Sequence, residues 1–254
     1  MILAYDLDGP DDAAVLVLSG GLGTTTAMWD SQVPTFATAR RVLRVDHPGH
    51  GRSALPAGSV TVDGIARAIV MLLDELEIVT ASFCGLSLGG MVGQWLGANE
   101  PERIDHLVLA CTGASLGTRA TYEERAELVR REGLDVVVDG AAERWFTPAF
   151  RDSTEAQRIL DDLRRMSPEG YAAGCEAVGA FDFREDLHRI QPPTLVLFGE
   201  DDPVTPPTVI EELTTGIPGS RSIGIARAAH LANVEQPEAF SAAVLSHLHE
   251  RAAG

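Results

Sequence analysis

"CGLSLGGMVGQWLG", residues 84–97, sets a serine between glycines at the junction of two apolar patterns. The run before it, "ASFCGLS" (81–87), reads as a buried strand. The run after it, "LGGMVGQWLGANEP" (88–101), reads as a helix stopped near Pro101. Glycine is costly inside regular structure, so a cluster of it marks backbone that other residues cannot adopt. A sharp strand-to-helix turn at Ser87 would strain that residue and lift its Oγ above the sheet edge. Gly85, Gly89 and Gly90 then remove side chains that would clash across the turn. With glycine at about 7% of ordinary sequences, the bare pattern arises often by chance, and Ser87 could be only a small residue in a tight turn. The surrounding chain has to decide.

Outward from this turn, short apolar runs alternate with helical patterns. "AAVLVLS" (13–19), "RRVLRVD" (40–46), "IDHLVLACT" (104–112), "PTLVLFGED" (193–201) and "SRSIGIA" (220–226) read as buried strands. "VDGIARAIVMLLDELEI" (62–78) carries Ile65, Ile69, Leu72, Leu73 and Leu76 on one helical face, and "PEAFSAAVLSHLHERA" (237–252) reads as a terminal helix. Near-continuous apolar strands separated by helices predict a mostly parallel central sheet flanked by helices, an α/β fold. In such sheets sites form beyond the carboxyl ends of the strands. Between "LVLACT" and "PTLVLFGED" the pattern is helical throughout, which predicts a helical lid inserted between strands. The expected division is a core of residues 1–114 and 188–254 and a lid of residues 115–187.

A chain of 254 residues with 45% hydrophobic and 22% charged residues buries a sizeable core. Its net charge of −17 argues against nucleic acid and anionic membrane surfaces as partners. A small anionic substrate stays compatible, because it feels local charges more than the net one. Three widely spaced cysteines, Cys84, Cys111 and Cys175, form neither a disulfide framework nor a metal cluster and read as buried thiols. No basic, apolar leader opens the chain, and no apolar run approaches the ~20 residues of a membrane span. The expectation is a cytoplasmic protein.

A serine hydroxyl needs a general base, and the base an orienting carboxylate. On a sheet of this kind they follow in the order Ser, Asp or Glu, His. After "TLVLFG" comes "EDDPVTP", with Asp202 in the loop and Asp201 and Glu200 as rivals; its distance from Gly199 favours Asp202. A bland Asp202 would only cap the turn before Pro203. Of seven histidines, His230 in "RAAHLANVEQPEAF" has both the order and a loop past the last strand. His47 and His50 precede the serine, His106 stands at a strand start, His188 leaves the lid, and His247 and His249 fall where exposure is the default. Acyl transfer also needs donors for an oxyanion. The amide of Leu88 is one; the loop "SGGLGT" (19–24) supplies a second, with Gly21 favoured over Gly20 and Leu22.

"LSGGLGT", "DHPGHGRS", "CGLSLGG", "GEDDPVTP" and "AAHLANVEQPEAF" together resemble the α/β-hydrolase superfamily along the whole chain. Within it, "RWFTPAF", "SPEGYAAGCEAV" and "DFREDLHRIQPPTLV" are most similar to the 3-oxoadipate enol-lactonase family of bacterial aromatic catabolism, the β-ketoadipate pathway. Gly20-Gly21 and His47-Pro48 depart from the Asn-Ser and Thr-Arg often found there; the second departure removes an arginine near the site mouth. The resemblance implies a small anionic lactone or ester substrate, an acyl-enzyme on Ser87, and no metal or organic cofactor. It also implies a partner for the substrate carboxylate, for which Arg144 is a candidate, with Trp145 beside it as pocket lining or lid core. A general carboxylesterase, a carbon–carbon bond hydrolase, a cofactor-free perhydrolase or a non-catalytic receptor on the same fold would share most of these features.

Overall fold

The computed structural model describes residues 1–249. In chain order its elements are β1 (Tyr5–Asp8), β2 (Val15–Ser19), α1 (Val33–Phe36), β3 (Arg41–Val45), α2 (Val62–Glu75), β4 (Ala81–Leu86), α3 (Leu88–Asn99) and β5 (Ile104–Ala110). There follow α4 (Arg119–Glu132), α5 (Asp135–Trp145), α6 (Thr154–Arg165), α7 (Pro168–Ala180), β6 (Thr194–Gly199), α8 (Pro207–Gly216), β7 (Arg221–Ile225), α9 (Ala232–Glu235) and α10 (Pro237–Leu248). Short 3₁₀ turns occupy Thr26–Trp29, Pro101–Arg103 and Arg184–Arg189.

The strands form one sheet in the order β1-β3-β2-β4-β5-β6-β7. Every pairing is parallel except β1 with β3, whose register runs from Tyr5 opposite Val45 to Asp8 opposite Val42. The strand period of two divides the interior into two cores. Leu16, Leu18, Cys84, Leu86, Val108, Ala110, Leu195 and Leu197 face one, with Phe36 of α1 and Phe240 and Val244 of α10. Val17, Leu43, Phe83, Leu107, Leu109 and Val196 face the other, with α2, α3 and α8. All three cysteines are buried and free. Among the described residues no helix is long and apolar enough to cross a membrane.

Four of the helices start where a side chain satisfies one of the first N–H groups. Thr61, Thr118, Ser153 and Ser167 accept such bonds at the heads of α2, α4, α6 and α7. The helix α2 ends three residues before the predicted 78. Glu77 takes φ +56°, and the Ile78 N–H turns back to the Leu73 carbonyl at 2.8 Å, so Leu76 is only partly buried. The strand β1 lacks an apolar signature because it is a half-exposed edge, "YDLD". His247 is buried rather than exposed. Its helix, α10, packs on β5, β6 and β7, and its Nε2 lies 3.1 Å from the Pro193 carbonyl. The predicted end of that helix at residues 250–252 lies outside the described residues. Helices α4 to α7 all fall between β5 and β6, with α4 packed against α7.

Candidate active site

Ser87 is the single residue between β4 and α3, with φ +56° and ψ −113°. That is the left-handed half of the map, which a side chain occupies only when its surroundings impose it. The Ser87 N–H donates to Ala110, and its carbonyl accepts from Thr112 Oγ1 and the Met91 N–H. Close backbone approach fixes the neighbours. A Cβ on Gly85 would lie 2.1 Å from the Gly89 carbonyl oxygen, and one on Gly89 2.1 Å from that of Ser19.

Asp202 follows β6, and His230 lies between β7 and α9. Their side chains are buried and joined, His230 Nδ1 to Asp202 Oδ2 at 2.8 Å. Asp202 also accepts from the Val204 N–H and the Thr205 hydroxyl. Burial pushes its carboxyl upward, but the His230 imidazole and these donors outweigh burial and hold it below the usual carboxylate range. Nδ1 is thus committed to a carboxylate, and Nε2 is the ring nitrogen that pairing leaves uncommitted. Asp201 is exposed and Glu200 packs beside Gly224, so of the three acids only Asp202 meets the histidine.

Ser87 and His230 line one cavity of about 290 Å³, together with Gly21, Leu22, Arg144 and Trp145. Leu88 begins α3, where the N–H has no intrahelical acceptor. A Cβ on Gly21 would lie 3.5 Å from Ser87 Cβ, so this glycine stands directly beside Ser87. Gly20 is absent from the lining, and its carbonyl receives the Gly89 N–H at 2.9 Å. Leu22 lines the cavity as Gly21 does.

Three supports escape motif reading. The Gly23 N–H donates to His50 Nε2 at 3.1 Å, and His50 Nδ1 lies 3.1 Å from the Pro48 carbonyl. A carbonyl only accepts, so the proton sits on Nδ1 and His50 is neutral; burial lowers its pKa. His50 thereby ties the glycine loop beside Ser87 to the loop after β3. That second loop touches α7, since a Cβ on Gly170 would lie 2.0 Å from the Gly49 carbonyl oxygen. His47 Nε2 meets Ser19 Oγ at 2.7 Å, and burial, reinforced by His50, lowers its pKa to about 3. Glu235 receives the Thr147 N–H and the Ala229 N–H, bracketing the His230 loop against the end of α5; burial raises its pKa. The Leu231 N–H adds a bond to the Trp145 carbonyl at 3.0 Å. Order along the chain discards His47 and His50 as catalysts, and nothing local in sequence marks them or Glu235 as braces.

A strained, cavity-lining serine, a carboxylate-held imidazole and adjacent backbone donors suit nucleophilic attack on a carbonyl carbon. Residues 15–243 match the Alpha/beta hydrolase family. The chain is 41% identical to 3-oxoadipate enol-lactonase 2 of Acinetobacter baylyi, over 95% of this chain and 91% of that one. An enol-lactonase structure from Burkholderia xenovorans superposes with a TM-score of 0.94 at 36% identity, covering 98% of this chain and 96% of that one. A hydrolase structure from Pseudomonas aeruginosa gives 0.93 at 42% identity, covering 98% and 94%.

Proposed function

The chain belongs to the alpha/beta hydrolase family and is a hydrolase, and on that premise we propose that it opens the lactone ring of 3-oxoadipate enol-lactone to give 3-oxoadipate, in the β-ketoadipate pathway. The observation that carries the reading is the buried Asp202–His230 pair sharing a cavity with Ser87 at its strained turn. The choice of substrate is supported by the names of the relatives at 41% and 36% identity.

His230 Nε2 takes the Ser87 proton as Oγ attacks the ring carbonyl. The N–H groups of Leu88 and Gly21 receive the charge that develops on the carbonyl oxygen. Asp202 holds the imidazole in the required tautomer and stabilises its charged form. The tetrahedral intermediate collapses, the ring C–O bond breaks, and His230 returns the proton to the departing enol oxygen. An enolate is a better leaving group than an alkoxide, so ring opening is the easier half. His230 then takes a proton from water, the hydroxide adds to the acyl carbon, and Ser87 leaves with that proton. Helices α4 to α7 form the lid over the cavity, with Trp145 in its wall and Arg144 toward the substrate carboxylate.

The test follows the ultraviolet absorbance of freshly generated 3-oxoadipate enol-lactone with the wild type and with Ser87→Ala. The reading expects fast loss by the wild type and none above background by the variant. A wild type that leaves the lactone intact while cleaving a simple aryl ester would overturn the substrate and keep the hydrolase.

A further inference from the structure

A second hollow lies on the outer side of the lid, about 270 Å³, between α4 and α5. Three residues line both it and the active-site cavity: Thr121, Arg125 and Arg144. Two guanidinium-bearing side chains therefore stand in the wall between the nucleophile and the outside.

Their pairing is unusual for this lid. Arg119, Arg130, Arg131, Arg158, Arg164 and Arg165 on the lid helices each hold a carboxylate within 4.0 Å. Among the described residues Arg125 and Arg144 hold none, in a chain with 37 acidic and 20 basic residues. Arg125 lies over the Tyr122 ring, 5.0 Å from its centroid, and its charge acts against the burial that raises the Tyr171 pKa. Both of those tyrosines line the inner cavity. Glu124 on the outer hollow and Glu143 next to Arg144 are the nearby acids, and neither pairs with them. Burial first, then the charge of Arg125, hold Arg144 below the usual guanidinium pKa. Two half-buried like charges destabilise one another unless an anion sits between them. The Tyr122 ring holds Arg125 in place without neutralising it.

We propose that Arg125 and Arg144 together form a carboxylate-binding subsite and the portal to the cavity, so that the enzyme selects lactones and esters carrying a free carboxylate. Arg125 is the member that sequence reading does not reach; Arg144 alone was a candidate. The portal places the cations where an anion passes from solvent to Ser87, which offsets locally the repulsion expected from a net charge of −17. A planar guanidinium accepts a carboxylate through two parallel N–H bonds, which fixes orientation as well as affinity. The subsite rests on the hydrolytic reading of the Ser87 cavity but not on one particular lactone.

The test compares two aryl esters that differ only in a terminal carboxylate, p-nitrophenyl hydrogen glutarate and p-nitrophenyl valerate. The readout is the ratio of their kcat/KM values. Arg125→Gln and Arg144→Gln should each lower the ratio about 10- to 100-fold, mainly through KM, since each removes one charge-assisted contact. Arg125→Lys and Arg144→Lys, which keep charge but not the fork, should recover part of it. In the wild type, kcat/KM for the glutarate ester should fall with added salt while that for the valerate ester stays level. An unchanged ratio in the Gln variants, or an equal salt response of the two esters, would overturn the subsite. A wild type that cleaves neither ester would overturn instead the hydrolytic reading beneath it.

Discussion

Replacing His47 by Gln should relieve an acid sensitivity built into the base of the site. His47 is buried, its Nε2 meets Ser19 Oγ at 2.7 Å, and its Nδ1 has no hydrogen-bond partner among the described residues. A second proton on the ring would put a charge in a buried site beside His50, and the pKa accordingly falls from 6.5 to about 3. The unfolded chain takes up this proton near the ordinary value, whereas the folded chain refuses it until far lower pH. Below the unfolded pKa the unfolded state therefore binds more protons, and stability declines as pH drops. Between pH 7 and pH 5 this one group should remove about 2 kcal/mol. His50, lowered by the same burial, acts in the same direction, and the raised pKa of Glu235 acts against it. Those contributions are common to both proteins and cancel in the comparison. Glutamine keeps a polar atom near the Nε2 position and removes the titration. Urea melts at the two pH values should show the wild type losing about 2 kcal/mol more than His47→Gln. Equal losses would refute the argument that a buried neutral His47 underlies the acid sensitivity.

Asp202→Asn should lower kcat about a thousandfold or more with little change in KM, because the amide no longer fixes the His230 tautomer; steady-state kinetics on an aryl ester check this. His50→Ala leaves the Gly23 N–H buried without its acceptor, which costs about 1–3 kcal/mol of stability and loosens the loop carrying Gly21. His50→Gln, which can still accept that bond, should retain more of the kcat, and kcat compared with thermal stability separates the two variants. Gly170→Ala would set a Cβ 2.0 Å from the Gly49 carbonyl oxygen, backbone against side chain with no rotamer to relieve it. It should destabilise the protein by about 1–3 kcal/mol in urea titration.

Much of the architecture was legible because the physics was local. Five of the six strands read from sequence, β2, β4, β5, β6 and β3, carry apolar runs, and their helices carry a separate period. The sixth, β7, is only partly buried but sits between turn residues. The turn at Ser87 was legible because its steric demand is met by glycines next to it in sequence. Order and their places after strands singled out Asp202 and His230 as candidates, and their side chains meet at 2.8 Å. What stayed hidden depends on distant partners or weak periodicity. The edge strand β1 owes its pairing to β3, not to the acidic "YDLD". The helix α8 begins after Pro206 and is rich in β-branched residues, a poor helical signature that its packing on the sheet overrides. His247 is buried by the strands beside α10, which the polar end of its helix does not announce. His50 and Glu235 act across 27 and 88 residues, to Gly23 and Thr147, and Arg125 gains its place only where two cavities share a wall; no local spacing encodes such contacts.

The central claim is that Ser87 is a nucleophile activated by the His230–Asp202 pair. The most direct measurement exposes the folded protein to a fluorophosphonate and maps the adduct by peptide mass spectrometry. The account predicts one adduct, on Ser87, formed rapidly by the wild type and far more slowly by His230→Ala. An unmodified Ser87 in the folded wild type, or labelling as fast without His230, would contradict it.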